Sequence, residues 1–247
     1  MIPRLYVPHT IEAGSPLKLD EGQRRYLLRT LRLTVGAPLT LFGPSGEEGE
    51  WQGELIRCDT PAEVRPIRFL PLKKESPLQI TLIQGLAKGS ATELVIQKAV
   101  ELGASTLIPL VSQRSVRRVK ADRNESKLKR WNTIIQEAAE QCGRVRLPVI
   151  HPPMGWKELA PHLADGPRYL FWEEEKQAGI TLRDLPHPGR TVTLLVGPEG
   201  GLGREEVELA RETLGFKVVS LGPRILRTET AGLAVLSGCQ VLWGDMG

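Results

Sequence analysis

The chain has 247 residues, of which 40% are hydrophobic, and its 33 Lys and Arg against 29 Asp and Glu give a net charge of +4. This composition is typical of a globular protein of one large domain or two modest ones, and it excludes disordered and fibrous architectures. The cysteines Cys58, Cys142 and Cys239 are far apart and form no Cys-x-x-Cys pair, which excludes a disulfide framework and a thiolate zinc site. We therefore expect a reducing compartment.

The sequence has no evident targeting, membrane or metal-binding segment. Its first residues lack the charged lead and apolar stretch of a secretory signal, and no run approaches the roughly 18 apolar residues of a membrane span. The histidines lack the i, i+4 spacing that places two metal ligands on one helical face. We expect a cytoplasmic protein with no membrane partner and no bound metal.

Residues 1–72 predict a small β-rich domain. Short strands are expected at residues 4–8, 39–42, 49–58 and 63–70, with one helix over residues 21–33. The turn residues Gly43-Pro44-Ser45-Gly46 separate two of the strands, as in a hairpin. We interpret the charged, proline-flanked segment 70–77 as a linker to the rest of the chain.

Residues 73–247 alternate strands with helices, which predicts an α/β domain with a mainly parallel sheet. Strands are expected at residues 78–84, 106–111, 147–150, 168–172, 191–196 and 217–221. Helices are expected near residues 90–102, 124–141, 155–163, 204–214 and 228–242. Two of the strands are apolar nearly throughout, as strands covered on both faces are. The last helix is apolar on most sides, so it is either central or part of a subunit interface.

The positive charge is concentrated in two places. Residues 114–130 contain eight basic and two acidic residues, and a second cluster consists of Arg24, Arg25, Arg29 and Arg32. Residues 25, 29 and 32 have the spacing of one helical face. Segregated arginine favours contact with nucleic-acid phosphates, with a solvated surface as the alternative. Because only 5% of the residues are aromatic, we expect contacts to phosphates and shape rather than extended base stacking.

The first candidate ligand loop is Gly197-Pro-Glu-Gly-Gly-Leu-Gly203, which follows a predicted strand. Ligands of open parallel sheets bind at the carboxyl ends of the strands, and glycines let a ligand approach the backbone closely. A plain strand-to-helix turn is the alternative. The loop lacks the P-loop and dinucleotide spacings, and Glu205 and Glu206 in the first turn of the next helix repel phosphates. We therefore expect a ligand without a polyphosphate.

The second candidate loop is Leu221–Gly232, which leads from a predicted strand into the last helix. Gly222 and Pro223 end the strand, and Thr228, Glu229 and Thr230 can cap the free amides of the helix. A run of polar residues beside an otherwise apolar helix is unfavourable to bury without partners. The run therefore favours a binding site over a simple cap.

Four motifs resemble, in the same order, the bacterial ribosomal RNA small-subunit methyltransferase E family. They are Gln97-Lys-Ala-Val-Glu-Leu-Gly103, Glu137-Ala-Ala-Glu-Gln-Cys-Gly-Arg144 followed by Pro148, Gly197-Pro-Glu-Gly-Gly201 and Leu221–Ala231. Arg4-Leu-Tyr6, Tyr26–Arg32 and Arg114-Ser115 extend the resemblance over the whole chain. Members of that family are 16S rRNA uridine-N3 methyltransferases of the SPOUT superfamily.

The resemblance implies a fold and a cofactor. It implies a PUA-like RNA-binding domain over residues 1–72 and a SPOUT methyltransferase domain over residues 73–247, with a C-terminal trefoil knot. The implied cofactor is S-adenosylmethionine (SAM), which carries no phosphate. The residues implied to bind it are Leu170, Phe171, Trp172, Gly197, Pro198, Glu199, Gly200, Gly201, Leu221, Gly222, Ile225, Leu226, Arg227, Thr228, Glu229 and Thr230. The implied partners are 16S rRNA within the small ribosomal subunit and a second copy of the chain.

Methylation of uridine N3 requires the removal of a weakly acidic imide proton, and positioning supplies much of the rate. We expect Arg227 to stabilise the developing anion and Glu199 or Glu229 to take the proton or orient the base. A structural role is the alternative for either glutamate. Because N3 takes part in base pairing, the uridine must be unpaired or flipped out. The residues expected to contact RNA are Arg4, Arg24, Arg25, Arg29, Arg32, Arg114, Arg117 and Arg118.

Two other classes of function remain as alternatives. A nucleotide-using α/β enzyme requires phosphate-binding signatures, which the sequence lacks. A non-catalytic RNA-binding protein with a degenerate site would have lost the polar run Arg227–Thr230, which is intact.

Overall fold

The computed structural model describes residues 2–44, 46–115, 121–172 and 180–247. The chain forms two compact units. The first consists of Met1–Glu75 and Ala139–Arg146, and the second consists of Ser76–Ala138 and Leu147–Gly247. The segment Ala139–Arg146, which the sequence analysis placed in the second domain, thus belongs to the first unit.

A five-stranded sheet forms the first unit. Its strands are β1 (Arg4–Tyr6), β2 (Leu17–Lys18), β3 (Pro38–Phe42), β4 (Gly49–Arg57) and β5 (Glu63–Pro71). They lie in the order β1, β3, β4, β5, β2, with β1 parallel to β3 and the other neighbours antiparallel. Side chains such as Leu5, Leu41, Leu55 and Val64 form its buried core. The predicted hairpin pairing of β3 with β4 is confirmed, whereas the short strand β2 was not predicted.

The helix of the first unit is shorter than the predicted span of 21–33. It consists of α1 (Glu21–Arg25) and a π-helical turn over Tyr26–Thr30, in which Leu27 is fully buried. The Leu33 amide donates to the Leu27 carbonyl at 3.0 Å, which closes the turn. Arg32 lies beyond this turn with a φ of 55°. The predicted continuation of one helical face to Arg32 is therefore wrong.

The segment 70–77, interpreted from the sequence as a linker, contains the boundary between the two units, and its residues up to Glu75 are held in the first unit. Strand β5 extends through Pro71, and Glu75 accepts hydrogen bonds from the Arg144 guanidinium at 3.0 and 2.6 Å. The other oxygen of Glu75 accepts from the amides of Val145 and Arg146 at 3.0 and 3.1 Å. Because the side chains of Glu75 and Arg144 are only 11% and 9% exposed, this ion pair fixes the chain up to Glu75 within the first unit.

A six-stranded sheet forms the centre of the second unit. Its strands are β6 (Gln79–Gly85), β7 (Ala104–Leu110), β8 (Val149–Ile150), β9 (Arg168–Phe171), β10 (Thr191–Val196) and β11 (Lys217–Val219). They lie in the order β11, β9, β10, β6, β7, β8, and every neighbouring pair is parallel. The prediction of an α/β domain with a mainly parallel sheet is confirmed, with β8 and β11 shorter than predicted.

Within the described residues, four α-helices accompany this sheet. They are α2 (Ala91–Glu101), α3 (Ala121–Cys142), whose residues from Ala139 onward belong to the first unit, α4 (Arg204–Glu212) and α5 (Thr228–Trp243). The predicted helix over 155–163 is wrong, because two 3₁₀ turns, Trp156–Glu158 and Ala160–His162, occupy that region. Pro161 has no amide hydrogen to donate and so cannot continue an α-helical ladder from the first turn.

Helix α5 is central for most of its length. It packs against α2, β6 and β10 and buries Val235, Leu236 and Cys239, whereas Val241 and Leu242 near its end are 53% and 42% exposed. The central position that the sequence analysis gave as one of two alternatives is therefore observed for most of the helix. Among the helices of the described residues, none has the length and apolar character that a membrane crossing needs.

Candidate active site

A cavity of about 430 Å³ opens at the carboxyl ends of three neighbouring strands, β11, β9 and β10. The last residues of these strands, Val219, Phe171 and Val196, lie in register across the sheet. The loops that follow β10 and β11 line the cavity together with the first turn of α5. This is the edge at which ligands of parallel sheets bind.

Most residues predicted to hold the cofactor line this cavity. They are Phe171, Trp172, Gly197, Pro198, Glu199, Gly201, Leu221, Gly222, Ile225, Leu226, Arg227, Thr228 and Glu229. Leu170, Gly200 and Thr230 are outside this lining, and Leu170 is instead fully buried in the hydrophobic core of the unit. The residues that the sequence analysis missed are Val196, Ser220, Arg224 and Ala231, each of which directly adjoins a predicted segment. Adjacency along the chain was the signal that would have found them.

The glycine loop after β10 packs closely against the end of β6. A Cβ atom at Gly85 would collide with the backbone nitrogen of Pro198, so only glycine permits this approach. Gly201 has a φ of 69°, a left-handed conformation that glycine adopts without strain. The carboxylate of Glu199 accepts a hydrogen bond from the Lys88 amide at 3.0 Å. The loop is thus fixed against the segment that follows β6.

A single hydroxyl group joins the glycine loop to helix α5. The Thr228 Oγ1 donates to the Gly197 carbonyl and accepts from the Gln84 Nε2 at 2.7 Å. Thr228 and Gln84 are both buried, at 5% and 7% exposure. Gln84 was missed by the sequence analysis, although an amide at the end of the apolar run of β6 was a visible signal. These bonds determine where the first turn of α5 meets the cavity.

All three predicted catalytic residues line the cavity. Arg227 precedes α5 and is exposed, whereas Glu229 lies in the first turn of the helix and is half-buried. Among the described residues no group donates a hydrogen bond to the Glu229 carboxylate, whereas Glu199 has one oxygen occupied by Lys88. A carboxylate in the first turn of a helix complements the positive end of the helix dipole. Arg227 and Glu229 therefore present opposite charges to one cavity.

Glu205 and Glu206 differ from each other in a way the sequence does not reveal. Glu205 is exposed, but Glu206 is only 2% exposed and accepts hydrogen bonds from the amides of Gln113 and Gly203 and from the Trp156 indole. Neither residue lines the cavity. The expected repulsion of phosphates therefore acts at the start of α4 and not inside the cavity.

The residues predicted to contact RNA have different environments. Arg4 pairs with Glu50, donates to the Arg144 carbonyl at 2.9 Å and lies over the Phe42 ring, so its guanidinium is already engaged within the first unit. In the same unit Arg24 pairs with Glu21 at 2.9 Å, and Arg25, Arg29 and Arg32 are exposed. In the second unit Arg114 is exposed. Arg117 and Arg118 lie outside the described residues.

The titratable groups with shifted pKa values lie away from the cavity lining. Burial raises the pKa of the Cys239 thiol to about 12, so this cysteine stays protonated and is a poor nucleophile. Burial, and to a lesser extent the neighbouring His162, lowers the pKa of His151. Across the described parts of the chain, no group of three His, Cys, Asp or Glu side chains is placed to bind a metal ion.

The lining of the cavity fits an adenosine attached to a cationic sulfur. Val196, Leu226 and Ile225 provide apolar walls, Glu199 and Glu229 provide negative charge, and glycine carbonyls and amides border the space. Trp172 also lines the cavity, and its buried indole N–H has no acceptor among the described residues. A ligand with a hydrogen-bond acceptor would satisfy it. The glycine loop lacks the spacing of a P-loop and of a dinucleotide-binding loop.

Comparisons with known proteins agree on one family. A family model of an RNA methyltransferase domain matches residues 74–240. Ribosomal RNA small subunit methyltransferase E of Bacillus subtilis is 31% identical over 246 residues, covering 95% of each chain. The protein of the same name from Synechocystis is 33% identical over 229 residues, covering 91% of this chain and 72% of the other.

Solved structures give the same result. The crystal structure of a ribosomal RNA small subunit methyltransferase E from Neisseria gonorrhoeae bound to S-adenosyl methionine has a TM-score of 0.88 and 33% identity, and covers all of both chains. A Legionella pneumophila protein in complex with the bound cofactor SAM has a TM-score of 0.91 and 33% identity, again with full coverage.

Proposed function

The chain belongs to the ribosomal RNA small subunit methyltransferase E family, and from this and the shape of its cavity we propose that it transfers a methyl group from SAM to N3 of a uridine in 16S rRNA. One observation carries the proposal. The two loops that the sequence singled out line one cavity at the carboxyl edge of the parallel sheet, together with Arg227, Glu199 and Glu229.

SAM fits the cavity because it combines an adenosine with a sulfonium and carries no phosphate. When bound, SAM supplies an electrophilic methyl group on its positively charged sulfur. The glycine loop and the segment Leu221–Thr228 hold the adenosine portion, with Trp172 donating its free indole N–H to an acceptor on the ligand. The carboxylates of Glu199 and Glu229 favour the positive sulfur over a neutral ligand.

The charged residues of the cavity have different roles in the reaction at N3. Arg227 stabilises the negative charge that develops as the imide loses its proton. Glu229 takes that proton or orients the base, because its carboxylate has no hydrogen-bond donor among the described residues. Glu199 has the structural role that the sequence analysis left open, since the Lys88 amide already holds one of its oxygens. The uridine enters unpaired or flipped out of a helix.

Exposed arginines serve the RNA. In the second unit Arg114 donates to phosphates near the cavity, and in the first unit Arg25, Arg29 and Arg32 bind RNA phosphates. Arg117 and Arg118 extend the same basic segment and are part of this proposal from the sequence alone. Arg4 is not part of this proposal, because Glu50, Phe42 and the Arg144 carbonyl already contact its guanidinium.

The finer points of the fold and assembly are also proposals. We propose that the first unit is a PUA-like RNA-binding domain and that the C-terminal segment forms a trefoil knot. The knot is supported by the path of the chain, since β11 is an edge strand and α5, which follows it, packs back on β10 and β6. A homodimer is supported by the exposed apolar residues Val241 and Leu242 at the end of α5 and Met246 beyond it. The cytoplasmic location stays a prediction.

The function is tested with radiolabelled SAM and small ribosomal subunits from cells that lack this protein. After the reaction, mass spectrometry of the nucleosides identifies the product. We expect 3-methyluridine with the wild-type protein and, in the same reaction time, about 100-fold less or lower still with Arg227→Ala. A different methylated nucleoside would overturn the assignment to N3, and absence of transfer to the subunits would overturn the proposed substrate. Sedimentation of the protein alone tests the dimer.

A further inference from the structure

A short turn lies directly against the glycine loop of the cavity. The turn is Ser112–Ser115, which follows β7 and carries Arg114. Arg114 donates from its guanidinium to the Gly200 carbonyl at 3.1 Å. A Cβ atom at Gly200 would lie 3.1 Å from the Arg114 Cβ and 3.3 Å from its carbonyl oxygen, so the two backbones are in close contact. Gly200 stands between two residues that line the cavity, Glu199 and Gly201.

A buried carboxylate joins the same two segments at a second point. Glu206 accepts from the Gln113 amide at 2.9 Å through one oxygen and from the Gly203 amide at 2.9 Å through the other. The Trp156 indole donates to the first oxygen at 2.7 Å. Gln113 belongs to the turn and Gly203 ends the glycine loop. Because Glu206 is 2% exposed, these charge-assisted hydrogen bonds are shielded from water.

The turn itself is closed by its two serines. The Ser115 Oγ accepts from the Ser112 amide at 3.0 Å and lies 2.9 Å from the Ser112 Oγ. The Ser115 amide donates to the Ser112 carbonyl at 3.1 Å. These bonds reduce the number of conformations open to the turn. The hydrogen bonds of the turn and its contacts with the glycine loop thus hold Arg114 against Gly200.

We propose that the turn Ser112–Ser115 and the glycine loop move as one body, so that occupation of the cavity by the cofactor and binding of RNA phosphate at Arg114 are energetically coupled. In this arrangement Arg114 and Glu206 are positioning residues. The proposal rests on the proposed function, since it requires a cofactor in the cavity and RNA at its rim. Arg114 gives one N–H to Gly200, and the remaining donors of its exposed guanidinium are available for a phosphate.

The expected sign of the coupling is positive. A ligand in the cavity contacts the glycine loop and reduces the number of conformations open to it. The position of the Gly200 carbonyl is then fixed, and with it the direction of the Arg114 guanidinium that donates to this carbonyl. RNA then binds to a site whose ordering the cofactor has already provided. Coupling between binding sites is reciprocal, so RNA must tighten cofactor binding by the same factor.

The experiment measures the affinity for the cofactor product with and without RNA. Equilibrium dialysis gives the dissociation constant of tritiated S-adenosylhomocysteine, which cannot react, with and without saturating small ribosomal subunits from cells that lack the protein. We expect the subunits to tighten binding by at least about fivefold in the wild type. In Arg114→Ala, with subunits again at saturation for that variant, the factor falls below about twofold. An unchanged factor in this variant, or no coupling in the wild type, overturns the proposal.

A second pair of variants tests Glu206 against its neighbour. Glu206→Gln places an NH₂ group against at least one of three N–H donors, whereas Glu205→Gln changes an exposed residue in the same helical turn. We expect the coupling factor to fall in Glu206→Gln and to stay at the wild-type value in Glu205→Gln. Thermal unfolding checks that both are folded, and if Glu206→Gln is not, Arg114→Ala decides. Failure to bind S-adenosylhomocysteine without subunits would contradict the proposed function, whereas independent binding of both ligands contradicts only the coupling.

Discussion

Two regions of the molecule use arginine and glutamate in opposite ways. In the first unit Arg144 pairs with Glu75 and Arg4 pairs with Glu50, with side chains that are at most 17% exposed. In the second unit the cavity is lined by Arg224, Arg227, Glu199 and Glu229, and among the described residues no ion pair joins any of them. Charges that satisfy each other stabilise structure, whereas charges with spare donors and acceptors are available to a ligand.

The largest expected effect comes from removing one of the charges that line the cavity. Arg227→Ala should lower kcat by about 100-fold or more, because it removes a cation aimed at the charge that develops on the base. Since Arg227 is exposed, the free energy of unfolding should change by less than about 0.5 kcal/mol. Single-turnover methyl transfer and denaturant unfolding measure the two quantities. Arg211→Ala, an exposed arginine of α4, is the control, and equal turnover in both variants would remove Arg227 from the mechanism.

The next largest effect comes from removing one partner of a buried ion pair in the first unit. Glu75→Ala should lower the free energy of unfolding by about 3–5 kcal/mol, because it removes the carboxylate from a buried guanidinium and from two backbone amides. The matched control is Glu54→Ala, whose pair with Arg65 at 3.5 Å is exposed and should be worth less than about 1 kcal/mol. Urea titrations of both variants give the difference. Similar losses in the two variants would mean that burial does not determine how much an ion pair contributes to the free energy of unfolding.

A smaller effect concerns a neutral contact at the boundary of the cavity. Thr228→Val keeps the shape of the side chain but removes the hydroxyl shared by Gly197 and Gln84, which leaves the buried Gln84 Nε2 without that acceptor. The expected loss of stability is about 1–3 kcal/mol, with weaker SAM binding because the glycine loop is released from α5. Calorimetric titration with SAM measures the affinity. Thr228→Ser retains the hydroxyl and should restore both values, and failure to do so would assign the effect to packing.

Local sequence patterns predicted much of the fold and the general location of the site. The apolar runs of β6 and β10 predicted buried parallel strands, and the position of Gly197–Gly203 after a strand predicted the cavity edge, because both signals are contained within a few consecutive residues. The helix predicted over 155–163 is wrong, because two 3₁₀ turns replace it and Pro161, within the second turn, has no amide hydrogen to donate. The helix predicted over 21–33 is shorter than expected, because a π-helical turn ends it at Thr30.

The contacts that build the site depended on residues far apart in sequence. Gln84 meets Thr228 across 144 positions, and Glu206 meets Gln113 across 93 positions. No periodicity relates such residues, so the sequence could indicate the loops but not the side chains that fix them. Glu205 and Glu206 are adjacent and identical in type, and only the fold makes one exposed and the other buried.

The smallest expected effect concerns two neighbouring histidines of the second unit, His151 and His162. His151 and His162 have ring centroids 4.5 Å apart, and burial first, then His162, lowers the pKa of His151 below its ordinary value of 6.5. The unfolded chain therefore binds a proton more readily than the folded one. As far as His151 is concerned, the free energy of unfolding is therefore highest above about pH 6.5. It decreases as the pH falls from there towards the lowered pKa of His151 in the folded state.

His151→Gln should therefore lose less stability between pH 7 and pH 5 than the wild type does, because glutamine does not titrate. The control is His9→Gln, which replaces an exposed histidine of the first unit and should follow the wild-type curve. Thermal unfolding at a series of pH values measures the difference. An identical acid dependence in wild type and His151→Gln would show that other groups govern it. A reduced dependence would mean that the burial of His151, for which the structure supplies no opposite charge among the described residues, makes this region sensitive to acid, whereas the buried Arg144 has the carboxylate of Glu75 beside it.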